Sequence, residues 1–141
     1  MNPIRKNFAP ALAFALAILA AGCGSDTLTG PSAVVGGVWK LQSLESPSTG
    51  QVAIPQPTNY TVEFKDGGQL AVKADCNSCS GTYKISGDSL TVGAMACTQA
   101  FCGSASFDTA FLAVLTNATT FAVTNSELTI NSPKGVAKLK Q

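Results

Sequence analysis

Alternation of apolar and polar residues dominates the chain from Val38 onward. In VWKLQSL, Trp39 and Leu41 fall on one side, Lys40 and Gln42 on the other. YTVEFK sets Tyr60, Val62 and Phe64 against Thr61, Glu63 and Lys65. LAVKAD repeats the pattern with Leu70, Val72 and Ala74, GTYKIS with Tyr83 and Ile85, and SLTVG with Leu90 and Val92. TFAVT, ELTIN and VAKLK follow. A period of two over such lengths predicts half-buried β-strands.

Turn chemistry separates these runs. Asp66-Gly67-Gly68 divides the second from the third, and Gly87-Asp88 reads as a two-residue hairpin loop joining Ser86 to Ser89. Thr124, Asn125 and Ser126 make another turn. Only SFDTAFLAVLTN has helical spacing: Phe107, Phe111, Val114 and Leu115 form one apolar stripe. Ser106 is a candidate N-cap, Asp108 suits the positive end of the helix dipole, and Asn117 is suited to a left-handed end. The pattern predicts a mainly β fold of about eight short antiparallel strands in a curved, small open barrel-like sheet. One helix lies between strands five and six.

The first residues break this pattern. Arg5 and Lys6 precede an apolar run from Phe8 to Ala21, 14 residues long. A spanning helix needs roughly 20 residues, so the run reads as a signal-peptide core. Ala20-Ala21-Gly22-Cys23 then resembles the bacterial lipobox, in which the cysteine is lipidated, with acyl chains such as palmitate, and becomes the new N-terminus. That resemblance implies a signal peptide over 1–22 and membrane attachment through Cys23. Gly24 in place of the retention aspartate implies the outer membrane, facing the periplasm. Residues 23–37, small, polar and Gly/Pro-bearing, read as a flexible tether, and 38–141 as one domain.

Charge narrows the partners. The chain has nine basic and eight acidic residues; losing Arg5 and Lys6 with the leader leaves seven against eight, a net charge of −1. No basic cluster follows a phosphate backbone, which argues against nucleic acid.

Five cysteines are present. Lipidation consumes Cys23 and leaves Cys76, Cys79, Cys97 and Cys102. An exported chain meets oxidising conditions, so two disulfides are favoured over a four-thiolate zinc site, and no metal is expected. If Ser86 pairs with Ser89, counting back sets Cys79 opposite Ala96, one place from Cys97. A bulge or splay would bring Cys79 to Cys97 and leave Cys76 with Cys102. The pairings 76–97 with 79–102 and 76–79 with 97–102 stay open.

These residues also carry a family resemblance. DCNSCSGTYKISGDSLTVG, MACTQAFC, Trp39-x-Leu41 and FDTAFLAVLTNATTFAVTNSELTI together resemble the META (HslJ-like) domain lipoproteins of bacteria. The most specific parts are Cys76-Asn77, Ser80-Gly81-x-Tyr83 and Thr98-x-x-x-Cys102. Ala100-Phe101 departs from the methionine-bearing pair usual before the last cysteine. The resemblance implies that Cys76 pairs with Cys102, with Cys79 and Cys97 as an additional pair. It also implies an envelope or secreted protein associated with stress and antibiotic tolerance.

Catalytic signals are sparse. Histidine is absent, and no G-x-S-x-G, H-E-x-x-H, S-x-x-K or phosphate loop occurs. A C-x-x-C redox couple at Cys76 and Cys79 would enter a strand instead of the helix N-terminus that activates such thiols. Asn77, Ser78 and Ser80 are candidates for a recognition rim; alternatively the Asn77 amide holds its own loop through backbone groups. Trp39, Tyr60 and Tyr83 are expected in the core. The expectation is a non-catalytic, cofactor-free envelope lipoprotein that acts by binding an unknown protein or small molecule. The alternative is a secreted binding domain resembling protease inhibitors, with the proline-bearing segment 46–59 as an exposed inhibitory loop.

Overall fold

The computed structural model describes residues 27–141. The leader, Cys23 and the first residues of the expected tether lie outside them. The elements are β1 Thr27–Leu28, β2 Val38–Ser46, β3 Gly50–Ala53, β4 Tyr60–Lys65, β5 Gln69–Ala74, β6 Asn77–Ser86, β7 Ser89–Val92, β8 Ala96–Cys97, α1 Asp108–Thr116, β9 Thr120–Thr124, β10 Glu127–Ser132 and β11 Gly135–Lys140.

The eight alternating runs form a ring. Its order is β9-β10-β11-β2-β4-β5-β6-β7, and β7 returns to β9. Every adjacent pair is antiparallel. The barrel-like sheet expected from the alternation is present, and it closes. The closing contact is narrow: Ser89 pairs with Thr120, the Leu90 N–H donates to the Thr119 carbonyl at 3.0 Å, and the Phe121 N–H donates to the Asp88 carbonyl at 2.9 Å.

An eight-stranded barrel has an interior that side chains alone can fill. Here Trp39, Leu41, Val62, Phe64, Leu70, Leu90, Phe121, Leu128, Ile130 and Leu139 fill it. The helix packs against β5 and β7 on one side of the ring and β10 and β11 on the other, so it lies across one end. Phe111, Val114 and Leu115, three members of the expected stripe, are fully buried, whereas Phe107 is half-buried. Asn117 ends the helix differently from expectation. Its φ is −110°, outside the left-handed region, and its Nδ2 donates to the Ala113 carbonyl at 2.9 Å.

The short elements β1, β3 and β8 carry no alternation long enough to be seen in sequence. β7 reaches β9 only at Thr120, which leaves the rest of that edge open. An open edge exposes unpaired backbone groups, and β1 covers it: Thr27 pairs with Thr124 and Leu28 with Val123. Val34 is buried and accepts the Trp39 indole N–H on its carbonyl at 2.8 Å. Residues 27–37 therefore pack on the barrel, and the packed chain begins before the boundary expected at Val38.

The segment 46–59 is also tied down. β3 pairs with β2, the Ile54 N–H donates to the Gln42 carbonyl at 2.9 Å, and Ile54 is buried. The segment is mostly exposed, as expected for an inhibitory loop, but it is a hairpin paired with β2, followed by a short 3-10 turn at Pro57–Asn59.

Trp39 and Tyr60 are buried as expected, while Tyr83 is half-buried. The Tyr83 ring meets Phe64 edge-on at 5.0 Å, and its hydroxyl donates to the Lys65 carbonyl at 2.9 Å. Burial, and then the Asp66 charge, push this phenol above its ordinary value. A raised folded-state pKa contributes stability that is complete below about pH 10 and is lost as pH rises through that pKa. The Tm difference between wild type and Tyr83→Phe should therefore be constant up to about pH 9 and shrink above it. A difference unchanged through the alkaline range would contradict this.

Candidate functional site

The two ends of the barrel differ. One carries the turns at 66–68, 87–88 and 125–126. The other, the mouth, carries the β5–β6 hairpin, the loop from Thr98 to Phe107, the segment before β4, and the N-terminus of α1. All four cysteines of the domain lie toward this mouth.

Register brings the first pair together. Cys79 stands directly opposite Cys97 and Ser80 opposite Ala96, whereas beyond Gly81 the β6–β7 hairpin pairs Tyr83 with Val92. The register shifts by one residue between these points, so the bulge lies at Ala94–Met95. Gly81 makes room for it: a Cβ there would lie 2.7 Å from the Met95 Cγ and 3.0 Å from the Ala94 carbonyl oxygen. Cys79 and Cys97 are bonded with Cα atoms 4.1 Å apart, and Cys76 and Cys102 with Cα atoms 5.5 Å apart. This is the pairing favoured by register and implied by the family resemblance. Cys76 and Cys79 are bonded to different partners, so they form no C-x-x-C couple. Cys79 is buried at 6% exposure, whereas Cys76 is exposed.

Asn77 stands between the two bridges. It is 4% exposed and is the sole buried polar side chain in the core among the described residues. Its Oδ1 accepts from the Ala100 N–H at 2.8 Å and the Thr98 hydroxyl at 3.0 Å. Its Nδ2 donates to the Ala100 carbonyl at 3.0 Å and to Asp108 Oδ2 at 3.3 Å. The same nitrogen lies 3.3 Å from Cys102 Sγ. One amide thus ties the 98–102 loop to the start of the helix. The recognition rim expected from Asn77, Ser78 and Ser80 does not form as a unit. Strand alternation turns Asn77 inward and leaves Ser78 and Ser80 exposed on the outer face.

Tyr60 organises the other side of the mouth. Its hydroxyl donates to Asp75 Oδ2 at 3.1 Å and accepts the Phe107 N–H at 3.1 Å. The helix start is closed in sequence order: Ser106 Oγ accepts the Asp108 N–H at 3.2 Å, and Asp108 Oδ1 accepts the Thr109 N–H at 2.7 Å. Ser106 thus engages the helix start as expected, although Phe107 holds the cap position.

Between these groups lies an open cleft of about 440 Å³. Pro55, Gln56 and Asn59 form one wall, Tyr60 and Asp75 the floor, and Cys102 to Phe107 the other wall. Gly103, at φ 96°, supplies the turn that starts that last wall. Beside Cys102, Phe101 projects with 87% of its surface exposed. The sequence reading missed Tyr60, Asp75 and Phe101 as mouth residues. A buried tyrosine hydroxyl needs a partner, which was the available signal for Tyr60; nothing local placed residues 55–59 beside 102–107.

Comparison with known proteins agrees with this architecture. The family model described as META domain matches residues 32–140. A search of curated proteins finds no match. Among solved structures, the NMR structure of a protein from Burkholderia xenovorans is 15% identical, with TM-score 0.64, covering 99% of this chain and 96% of its own. A second NMR structure is 20% identical, with TM-score 0.61, covering 80% and 95%. The crystal structure of a DUF4847 family protein from Bacteroides vulgatus is 15% identical, with TM-score 0.55, covering 76% and 93%. At these identities the structures share the fold alone. The family match spans most of the chain and includes the ring, the helix and both bridges: the chain belongs to the META domain family.

Proposed function

We propose that this protein is a non-catalytic lipoprotein of the cell envelope whose mouth binds a protein or small molecule and thereby supports envelope integrity or stress and antibiotic tolerance. The observation carrying this reading is the fixed mouth. Two disulfides and the Asn77 amide hold a cleft and an exposed phenylalanine in one arrangement. Fixing a surface before binding reduces the ordering cost of association. A phenyl ring left 87% exposed gains little from folding and is a natural contact for a partner.

Attachment through the lipid on Cys23 belongs to the same proposal, at the periplasmic side of the outer membrane. Cys23→Ser should move the protein from the membrane to the soluble fraction. Deleting the gene should sensitise cells to heat or envelope-active drugs. Wild type should restore resistance, and Phe101→Ser should restore little of it at equal protein level. Equal survival of the deletion strain across such a panel would overturn the proposal.

A further inference from the structure

We propose that the mouth cleft is a site for an organic cation, a primary ammonium or guanidinium group such as a basic side chain presents. This rests on reading the mouth as a binding surface and assigns the chemistry it recognises.

The cleft falls in the size range of small-ligand sites, about 300 to 1,000 Å³. Its lining holds one formal charge, the carboxylate of Asp75. That carboxylate accepts the Tyr60 hydroxyl and has no ion-pair partner among the described residues. The surrounding chain carries no compensating charge: residues 46–59 and 94–107 contain no Asp, Glu, Lys or Arg. Lys73 is the nearby cation, and its Nζ is turned to the Thr58 carbonyl and Asn59 Oδ1, 3.3 Å from each. It is not among the residues lining the cleft.

The helix N-terminus beside the cleft would ordinarily favour an anion. Here the amides of Phe107, Asp108 and Thr109 are occupied. Phe107 donates to Tyr60, Asp108 to Ser106, and Thr109 to the Asp108 carboxylate, which also neutralises the positive end of the dipole. The amide oxygens of Gln56 and Asn59 are engaged by the Asn59 amide nitrogen and by Lys73, so what the cleft offers is the Asp75 carboxylate, with the hydroxyl of Ser104 beside it. The Tyr60 ring is 4% exposed and packed edge-on against Phe107 and Phe111, so it contributes its hydroxyl, while the half-buried Phe107 ring lines the same space. An aromatic ring attracts a cation and a carboxylate pairs with it, so the two features select the same ligand class.

Asp75→Asn is a close test variant. It removes the charge, keeps an acceptor for the Tyr60 hydroxyl, and tolerates the left-handed backbone, φ 57°, at this position. The purified protein is titrated with Nα-acetyl-lysine methylamide and with its uncharged norleucine counterpart, following backbone amide NMR shifts. The lysine probe should shift the signals of Asp75 and Cys102 to Phe107. The norleucine probe, and Asp75→Asn with the lysine probe, should bind at least about tenfold more weakly, and added salt should weaken the wild-type response. Equal affinity for the two probes, equal affinity of the variant, or shifts confined to other surfaces would overturn the cation site. If the cation fails while Phe101→Ser still abolishes cellular rescue, the mouth remains a binding surface with a different ligand. If Phe101→Ser rescues fully as well, both readings fall.

Discussion

Replacing Asn77 with alanine is expected to lower the unfolding free energy by about 3 to 4 kcal/mol, without changing the slope of a urea transition. The size follows from what the amide leaves behind. Its Oδ1 receives the Ala100 N–H and the Thr98 hydroxyl, and its Nδ2 donates to the Ala100 carbonyl and Asp108. Truncation unpairs several groups at once; Thr98 and Ala100 are exposed, so water reaches part of the network, and each group left dry costs about 1 to 3 kcal/mol. The 98–102 loop then loses its link to the helix start, so partial relaxation keeps the total below the sum. Thr98→Val is a smaller probe of the same network. Its hydroxyl donates to Asn77 and accepts the Ser78 N–H, but the residue is exposed, so a loss of about 1 kcal/mol is expected. A change below about 1 kcal/mol for Asn77→Ala would show that the bridges alone hold the loop.

Removing the bridges should produce the other large effect, and the two should not add. Cys76–Cys102 and Cys79–Cys97 span 26 and 18 residues, and chain-entropy arguments give each about 3 kcal/mol when removed alone. The shorter loop is nested inside the longer. With the outer bridge closed, the inner one constrains a much smaller remaining freedom, worth about 2 kcal/mol. The double removal should thus cost about 5 kcal/mol, not 6, as measured by denaturation of Cys76→Ala/Cys102→Ala, Cys79→Ala/Cys97→Ala and the fourfold variant. Native-state reduction should also proceed in order. Cys76 is exposed and Cys79 is 6% exposed, so alkylation after mild dithiol treatment should label Cys76 and Cys102 first. Simultaneous labelling of all four, or prior loss of the inner bridge, would contradict this account.

What could be read from sequence follows the range of the interactions involved. Each ring strand announces itself because burial on one face imposes a period of two on its own residues. The helix stripe and the Gly87-Asp88 turn are equally local. Asn125 and Ser126, read as a turn, adopt φ of 51° and 61° and close the β9–β10 hairpin. Less local features were harder. The register argument left Cys79 one place from Cys97, because a bulge of one residue leaves no mark on alternation; Gly81, the residue that accommodates it, was the available clue. Asn77 shared parity with Cys79, Tyr83 and Ile85, which already implied an inward side chain. The pairing of Thr27 and Leu28 was invisible, since it answers an open edge on β9 that exists only after the ring has formed. Likewise the cleft joins segments some fifty residues apart, from Pro55 to Phe107.

Under the proposed anchoring at Cys23, the edge-covering strand would set which way the molecule points. β1 starts opposite Thr124 and runs along β9 away from it, and the Gly30 N–H donates to the Gly87 carbonyl at 3.0 Å, so the chain enters the barrel beside the 87–88 and 125–126 turns. A fatty anchor on Cys23 would be separated from Thr27 by three residues, four steps spanning at most about 14 Å of extended chain in all. Held on so short a leash, the turn-bearing base would rest close to the lipid headgroups, and Phe101 and Asp75 would stand at the far pole, directed into the aqueous space.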